Sequence, residues 1–261
     1  GLGDVYKRQI LHSYRTVAKA IISVAPLAPI RGAEIPGVSG TLADFLSNLI
    51  EIAPQRVLER QIELIAKELE TTILEGEMKL VKKVSELPPE PTYKFNDQEI
   101  PLTQVSSMIA ELAPLDIYLK YGIVQVGDTI IMEEPEAHLH PDKQAKIAEI
   151  LTQLVNKLNL KIIVTTHSEI FLAKLSNLVA LNALPSEEIE KLGHKRGNTL
   201  DYRLVSVYLF HRKNDQVTIK KIGITKEGIS DEHFRRIIEN LYEETMNIYY
   251  EIQKIKSQRN I

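Results

Sequence analysis

Apolar and polar positions fall into two regimes along the chain. In the second, from Thr103 onward, helical periodicity alternates with short apolar runs. Thr103 to Tyr121 has helical spacing, Thr129 to Met132 is a continuous apolar run, and Asp142 to Leu158 is amphipathic. Lys161 to Thr165 is a second apolar run, followed by a short helix over Ser168 to Leu175. Strands apolar on both faces and separated by helices predict a parallel α/β sheet covered on both sides. Tyr202 to Phe210 and Val217 to Ile224 then alternate as strands do, and Asp231 to Lys256 returns to helix.

Upstream the pattern is mixed. Thr41 to Ile52 and Gln55 to Leu74 read as an amphipathic helical pair; in the second, Val57, Ile62, Leu64, Ile65 and Leu69 oppose Arg56, Glu59, Arg60, Glu63, Lys67 and Glu68. Gly76 ends that helix, and Met78 to Val84 alternates as a half-buried strand. Pro88, Pro89, Pro91 and Pro101 break the next segment into turns and short extended pieces. The change of rhythm divides the chain into an arm and partial lobe, residues 10–102, and a C-terminal lobe, residues 103–261.

Composition narrows the class. The 261 residues carry 32 Lys+Arg against 35 Asp+Glu, a net charge of −3, so bulk charge names no partner. With no cysteine there is no disulfide framework, thiolate metal site or cysteine nucleophile. The longest mainly apolar stretch, Ala20 to Ile30, is interrupted by Pro26 and Pro29 and falls short of the ~20 residues a membrane span needs. A cytoplasmic protein without a membrane partner is expected. The first methionine is Met78, and Gly1 to Gln9 (GLGDVYKRQ) resembles translated sequencing-adapter read-through. Residues 1–9 are therefore set aside as a non-native scar, and the chain is expected to be the C-terminal part of a longer protein.

The sharpest chemical feature is Thr129 to Pro141, TIIMEEPEAHLHP. Ile130, Ile131 and Met132 run directly into Glu133 and Glu134, and Pro135 stops the strand. Two adjacent carboxylates at the C-terminal end of a buried parallel strand lie where open α/β sheets bind ligands. Their repulsion is costly unless a cation or proton offsets it. Mg²⁺ bound to nucleotide phosphates is the usual solution: one acid holds the ion and the other orients the attacking water. A second apolar run, KIIVTTHS over Lys161 to Ser168, ends on a histidine 33 residues after Glu134. A parallel neighbour strand would bring His167 to the same sheet edge, where an imidazole could donate to a γ-phosphate. Ser168 is placed to cap the next helix.

Together, EEPEAHLHP and IIVTTHS resemble the Walker B, D-loop and H-loop of ABC-type ATPases in the AAA branch that includes overcoming-lysogenisation-defect, RecF-like and SMC-like proteins. SSMIAELAPL, Ser106 to Leu115, lies where that family keeps its signature helix, and the likeness runs over roughly Thr103 to Tyr249. The resemblance implies a P-loop NTPase-type α/β fold, a parallel sheet flanked by helices, truncated at the N-terminus and with a helical insertion before residue 100. It implies ATP and Mg²⁺ as cofactors and a homodimer that sandwiches the nucleotide. Glu133 would place Mg²⁺, Glu134 would polarise the attacking water and His167 would contact the γ-phosphate. Ser106 and Ser107 would meet the γ-phosphate bound on a second subunit. His138 and His140 would belong to the D-loop, in the nucleotide-binding set that touches the dimer partner. Nucleic-acid binding rests on family analogy alone.

The sequence departs from the family pattern in three places. Glu133 stands where Asp is commoner, and Met108 where many ABC proteins place a glycine that permits close backbone approach. None of the 12 glycines is followed by lysine, so the G-x-x-x-x-G-K-[ST] phosphate cradle is not among these residues. The chain alone is expected to bind ATP poorly and to be inactive; a non-hydrolysing binding or regulatory module is the alternative.

Other constellations have plainer readings. His138 and His140 form an H-x-H spacing used by metal hydrolases, but the D-loop reading outranks a catalytic zinc. Glu227 to Asp231, EGISD, is similar to the opening of a TOPRIM nuclease, yet no D-x-D comes after it, and a turn at Gly228 with a helix cap beyond it suffices. Lys254, Lys256 and Arg259 interleave with Glu243, Glu244 and Glu251 as on a solvated helix face, where Tyr242, Tyr249 and Tyr250 read as packing residues.

Overall fold

The computed structural model describes residues 8–11, 60–82, 89–213, 216–230 and 232–259. The expected helix over Thr41 to Ile52, the stretch from Gln55 to Glu59, and Pro88 lie outside these residues. Three parallel strands form the central sheet in the order β1-β5-β6: β1 (Arg8–Leu11), β5 (Thr129–Glu133) and β6 (Lys161–Thr165). In register, Ile131 sits between Ile10 and Ile163, and Glu133 is opposite Thr165. Arg8 and Gln9, two of the residues set aside as a scar, pair with Thr129 and Ile130.

Alternation along β5 decides which side chains enter the core. Ile130 and Met132 are buried on one face, whereas Ile131 points to the other. There Ile163 is 56% exposed, so among the described residues the helices that cover the sheet lie mainly on the Ile130 and Met132 face. The covered face meets α1 (Arg60–Leu69), α2 (Ser107–Lys120) and α3 (Pro141–Leu158), whose buried residues share one hydrophobic core. α2 is apolar around most of its circumference, and Leu112, Leu115, Ile117, Tyr118 and Leu119 are all at most 1% exposed. The core therefore joins residues from both sides of position 103.

The insertion before residue 100 contains more than a helix. α1 continues into a π-helical turn, Glu70–Leu74, which ends on left-handed Glu75 just before Gly76. Then β2 (Glu77–Val81), β3 (Glu90–Phe95) and β4 (Gln98–Pro101) form an antiparallel sheet in that order. Asn96, with φ +53°, makes the tight β3–β4 turn.

After β6 come α4 (Glu169–Leu181), α5 (Ser186–Lys191), the hairpin β7 (Val207–Lys213) with β8 (Gln216–Ile222), the short pair β9 (Ile224–Thr225) with β10 (Gly228–Ile229), and α6 (Glu232–Arg259). The turn expected at Gly228 lies just before it, at Lys226 and Glu227, and Gly228 opens β10: it has φ +123°, and a Cβ there would lie 2.5 Å from Ser176 Oγ, which accepts from the Ile229 N–H. Among the described residues, no helix is long and apolar enough to cross a membrane.

One buried charge cluster fastens α2 to the insertion. Glu70, 4% exposed, accepts from Lys120 Nζ at 2.7 Å and from the Met78 N–H at 3.2 Å; Lys120 also donates to Met78 O. Burial works against the Lys120 charge, but its hydrogen bond to Glu70 and the negative charges of Glu70 and Glu77 hold its amine above the ordinary value. Asp116 is fully buried, and among the described residues neither carboxyl oxygen has a hydrogen-bond partner. Burial, followed by the nearby Glu70 charge, pushes its carboxyl well above the ordinary 3.8. The folded chain thus keeps a proton on Asp116 that the unfolded chain releases above about pH 4, so stability falls as pH rises through that window. Asp116→Asn is expected to remove this slope: its stability relative to the parent should grow by up to ~1.4 kcal/mol per pH unit above pH 4. Urea unfolding of both proteins across pH 4 to 8 checks this, and parallel curves would refute it.

Candidate active site

Both apolar runs end at the same edge of the sheet. The ladder continues one residue past β5, because the Glu134 N–H donates to Thr165 O at 2.9 Å. Glu134 itself takes a left-handed φ of +43°, a conformation that costs a non-glycine residue about 1 kcal/mol or more and recurs at functional sites. Pro135 comes next, the Ala137 N–H donates to Glu134 O at 2.8 Å, and His138 is left-handed again at φ +63°. The chain thus turns sharply away from the sheet and leaves the Glu134 side chain half exposed above the strand ends.

His167 lies on the adjoining strand end. Its Nε2 is 3.5 Å from Glu134 Oε1, and the imidazole is 88% exposed, open to a ligand above the sheet. The 33-residue separation in sequence is thereby closed by one parallel strand pairing. Glu133, the last residue of β5, is exposed, and its side chain makes no hydrogen bond or ion pair among the described residues.

The support beneath this pair comes from a residue that the motifs alone do not single out. Glu136 is 4% exposed; its Oε1 accepts from Thr166 Oγ1 at 2.5 Å and from the His167 N–H at 3.2 Å. The Ser168 N–H donates to Thr166 Oγ1, and Ser168 Oγ donates to Gln144 Oε1 at 2.6 Å while capping α4 by accepting from the Phe171 N–H. Gln144 Nε2 in turn donates to Leu139 O. The segment after β5 and the segment after β6 are therefore one hydrogen-bonded unit. Its signal in the sequence is a third acid in EEPE, two residues beyond the exposed pair and matched across the sheet by Thr-Thr-His.

The remaining predicted residues stand apart. Ser106 is the N-cap of α2, where its hydroxyl accepts from the Ile109 N–H at 3.4 Å, and Ser107 is the first helical residue. Among the described residues no hydrogen bond or ion pair joins either serine to Glu134 or His167. His138 is exposed, and His140 Nδ1 lies 2.5 Å from Asp142 Oδ1 at the start of α3. That contact holds the Asp142 carboxyl below its ordinary value. Among the described residues no hydrogen bond or ion pair joins either histidine to His167.

Among the described residues no cluster of three or more His, Asp or Glu side chains could hold a metal ion by itself. The carboxylates at the strand end nevertheless fit Mg²⁺, which takes one or two carboxylates and completes its shell with phosphate oxygens and water. Glu133 is the better placed of the two, being unpaired and exposed.

A family profile described as the AAA ATPase domain matches residues 7–172, a span that runs from β1 through both strand ends into α4. The chain belongs to this family of ATPases. No curated protein matches the chain. Among solved structures, one from work on ATP-driven dimerization and DNA-stimulated activation of SMC ATPases is 12% identical, covers 70% of this chain and 94% of its own, and has a TM-score of 0.43. Another, an SMC head bound to the C-terminal winged-helix domain of ScpA, is 16% identical, covers 53% of this chain and 41% of its own, and has a TM-score of 0.37.

Proposed function

We propose that this chain carries the water-activating half of a Mg²⁺-dependent ATP-hydrolysing site that a second subunit completes. The observation behind this reading is the approach of His167 Nε2 to Glu134 Oε1 at the ends of neighbouring parallel strands. When bound, Mg²⁺ would supply positive charge that offsets the negative charge of the nucleotide phosphates. Glu133 would hold the ion through its carboxylate. Glu134 would accept a hydrogen bond from the attacking water, turning its lone pair toward the phosphorus, and His167 would donate to a γ-phosphate oxygen and detect its presence. Both groups face solvent, as residues must if nucleotide arrives from above the sheet.

In this reading Ser106 and Ser107 serve the nucleotide held mainly by the other subunit, which accounts for their separation from Glu134 and His167. The first-turn N–H groups of α2 form a donor set suited to an anion. His138 and His140 lie on the loop that meets the partner. Residues 103–261 form the lobe bearing these groups, and residues 10–102 the arm and partial lobe. The protein works in the cytoplasm as a homodimer closed by ATP; a nucleic-acid partner rests on family resemblance alone.

The phosphate cradle is the missing component, and it also supplies the test. The reading frame is extended upstream of the Ile10 codon, and its product assayed for ATP hydrolysis with and without Mg²⁺. A frame that encodes G-x-x-x-x-G-K-[ST] and a product that hydrolyses ATP only with Mg²⁺ is the expected result. A start codon with no such loop, or a loop-bearing product without turnover, would overturn the reading in favour of a non-hydrolysing docking module.

A further inference from the structure

α6 is a 28-residue helix, about 42 Å long at 1.5 Å per residue, and among the described residues it packs extensively against no other element. It nonetheless exposes large apolar side chains: Ile248 is 55% exposed, Ile252 45% and Ile255 48%. Their spacing is not that of a solvated helix. Thr245, Ile248, Ile252 and Ile255 succeed one another at intervals of three, four and three, and in sequence Leu241, Ile248 and Ile255 recur every seven residues. A seam repeating every 3.5 residues is the pattern of helices that wind around one another, whereas a helix packed on a globular core shows a broader stripe.

The flanks of the seam say what covers it. Tyr242, Tyr249 and Lys256 lie seven apart along one side; Glu244 and Glu251 lie seven apart along the other. In a parallel pair of identical helices, each residue on the acidic flank faces the residue five positions later on the opposite flank of its mate. Glu251 then meets Lys256 of the second copy, and Glu244 meets the Tyr249 hydroxyl. An antiparallel pair would set the two acidic flanks against each other. We infer that the Thr245–Ile248–Ile252–Ile255 seam of α6 is a parallel, two-fold homodimer contact with a second copy of this chain, formed without nucleotide. It is separate from the ATP-closed contact proposed above, and either can fail without the other.

Sedimentation velocity of the full chain in nucleotide-free buffer, over a wide concentration range, tests the contact. A reversible monomer–dimer equilibrium is expected, weakened at least ten-fold by Ile252→Glu. Lys256→Glu should weaken it about two- to five-fold, as for an exposed ion pair, and Glu251→Lys combined with Lys256→Glu should restore it. These side chains are exposed, so circular dichroism should show each variant folded like the parent. A monomer at every concentration, or a dimer indifferent to Ile252→Glu, would overturn the contact. A dimer weakened by Ile252→Glu but not by Lys256→Glu would overturn the parallel arrangement.

Discussion

Glu134→Gln is expected to lower ATP turnover of the P-loop-bearing product by about 10²- to 10⁴-fold, the range over which a positioned general base acts. Nucleotide binding should survive. Gln is nearly isosteric with Glu, so the left-handed turn at φ +43° and the Glu134 N–H bond to Thr165 O, both backbone features, are retained. What is lost is the negative charge 3.5 Å from His167 Nε2, and with it the acceptor that aligns water for attack. Binding without cleavage should trap the ATP-closed contact, so in a background where Ile252→Glu weakens the α6 seam, the variant should elute as a dimer in Mg²⁺ and ATP while the Ile252→Glu protein with native Glu134 cycles back. Steady-state hydrolysis and light scattering on the same samples separate the two effects. An unchanged rate would remove Glu134 from the water-activating role; loss of both binding and turnover would show a structural role instead.

Legibility in the sequence tracks the range of the interactions concerned. Both strand runs were legible within a residue because a strand buried in a parallel sheet writes a continuous apolar run: TIIM became β5 with only Glu133 added, and KIIVT became β6 unchanged. The meeting of Glu134 and His167 was legible too, since parallel neighbours bring their C-terminal ends to one edge. β2 was expected within Met78 to Val84, but its pairing with β3 and β4 into one antiparallel sheet was missed because four prolines suggested broken chain, although Pro91 and Pro101 each pair within that sheet, opposite Leu80 and Thr92. Its signal was Asn96-Asp97 between two extended pieces. α2 starts at Ser107 rather than Thr103 because Ser106 caps it, a local cue that the apolar periodicity overrode. α4 runs on to Leu181, past the expected Leu175, because Leu178, Val179 and Leu181 build a second small core with Leu200, a contact no local pattern encodes. Glu136 stayed hidden for the same reason: a third acid after a proline reads as solvated loop until the fold buries it beneath Thr166.

That burial makes Glu136 the second position where one atom decides much. Glu136→Ala would strip the acceptor from the Thr166 hydroxyl and the His167 N–H and leave a void under the strand ends. Each donor left unsatisfied costs about 1–3 kcal/mol, and the bridge between the segments after β5 and β6 would open. Water activation and γ-phosphate contact both depend on placement to within about 0.5 Å, so kcat should fall about 10- to 100-fold, with a much smaller change in KM. Glu136→Gln is the informative partner. It keeps an oxygen where Oε1 accepts both bonds and places an amide where Oε2 has no partner, so the bridge should persist and kcat should stay within a few-fold of the parent. Restoration by Gln at position 136, set against its failure at position 134, would separate an acceptor that positions from a charge that acts on water. If Glu136→Gln instead lost as much turnover as Glu134→Gln, the buried carboxylate would be acting through its charge, and the division of labour between the exposed and buried glutamates would have to be redrawn.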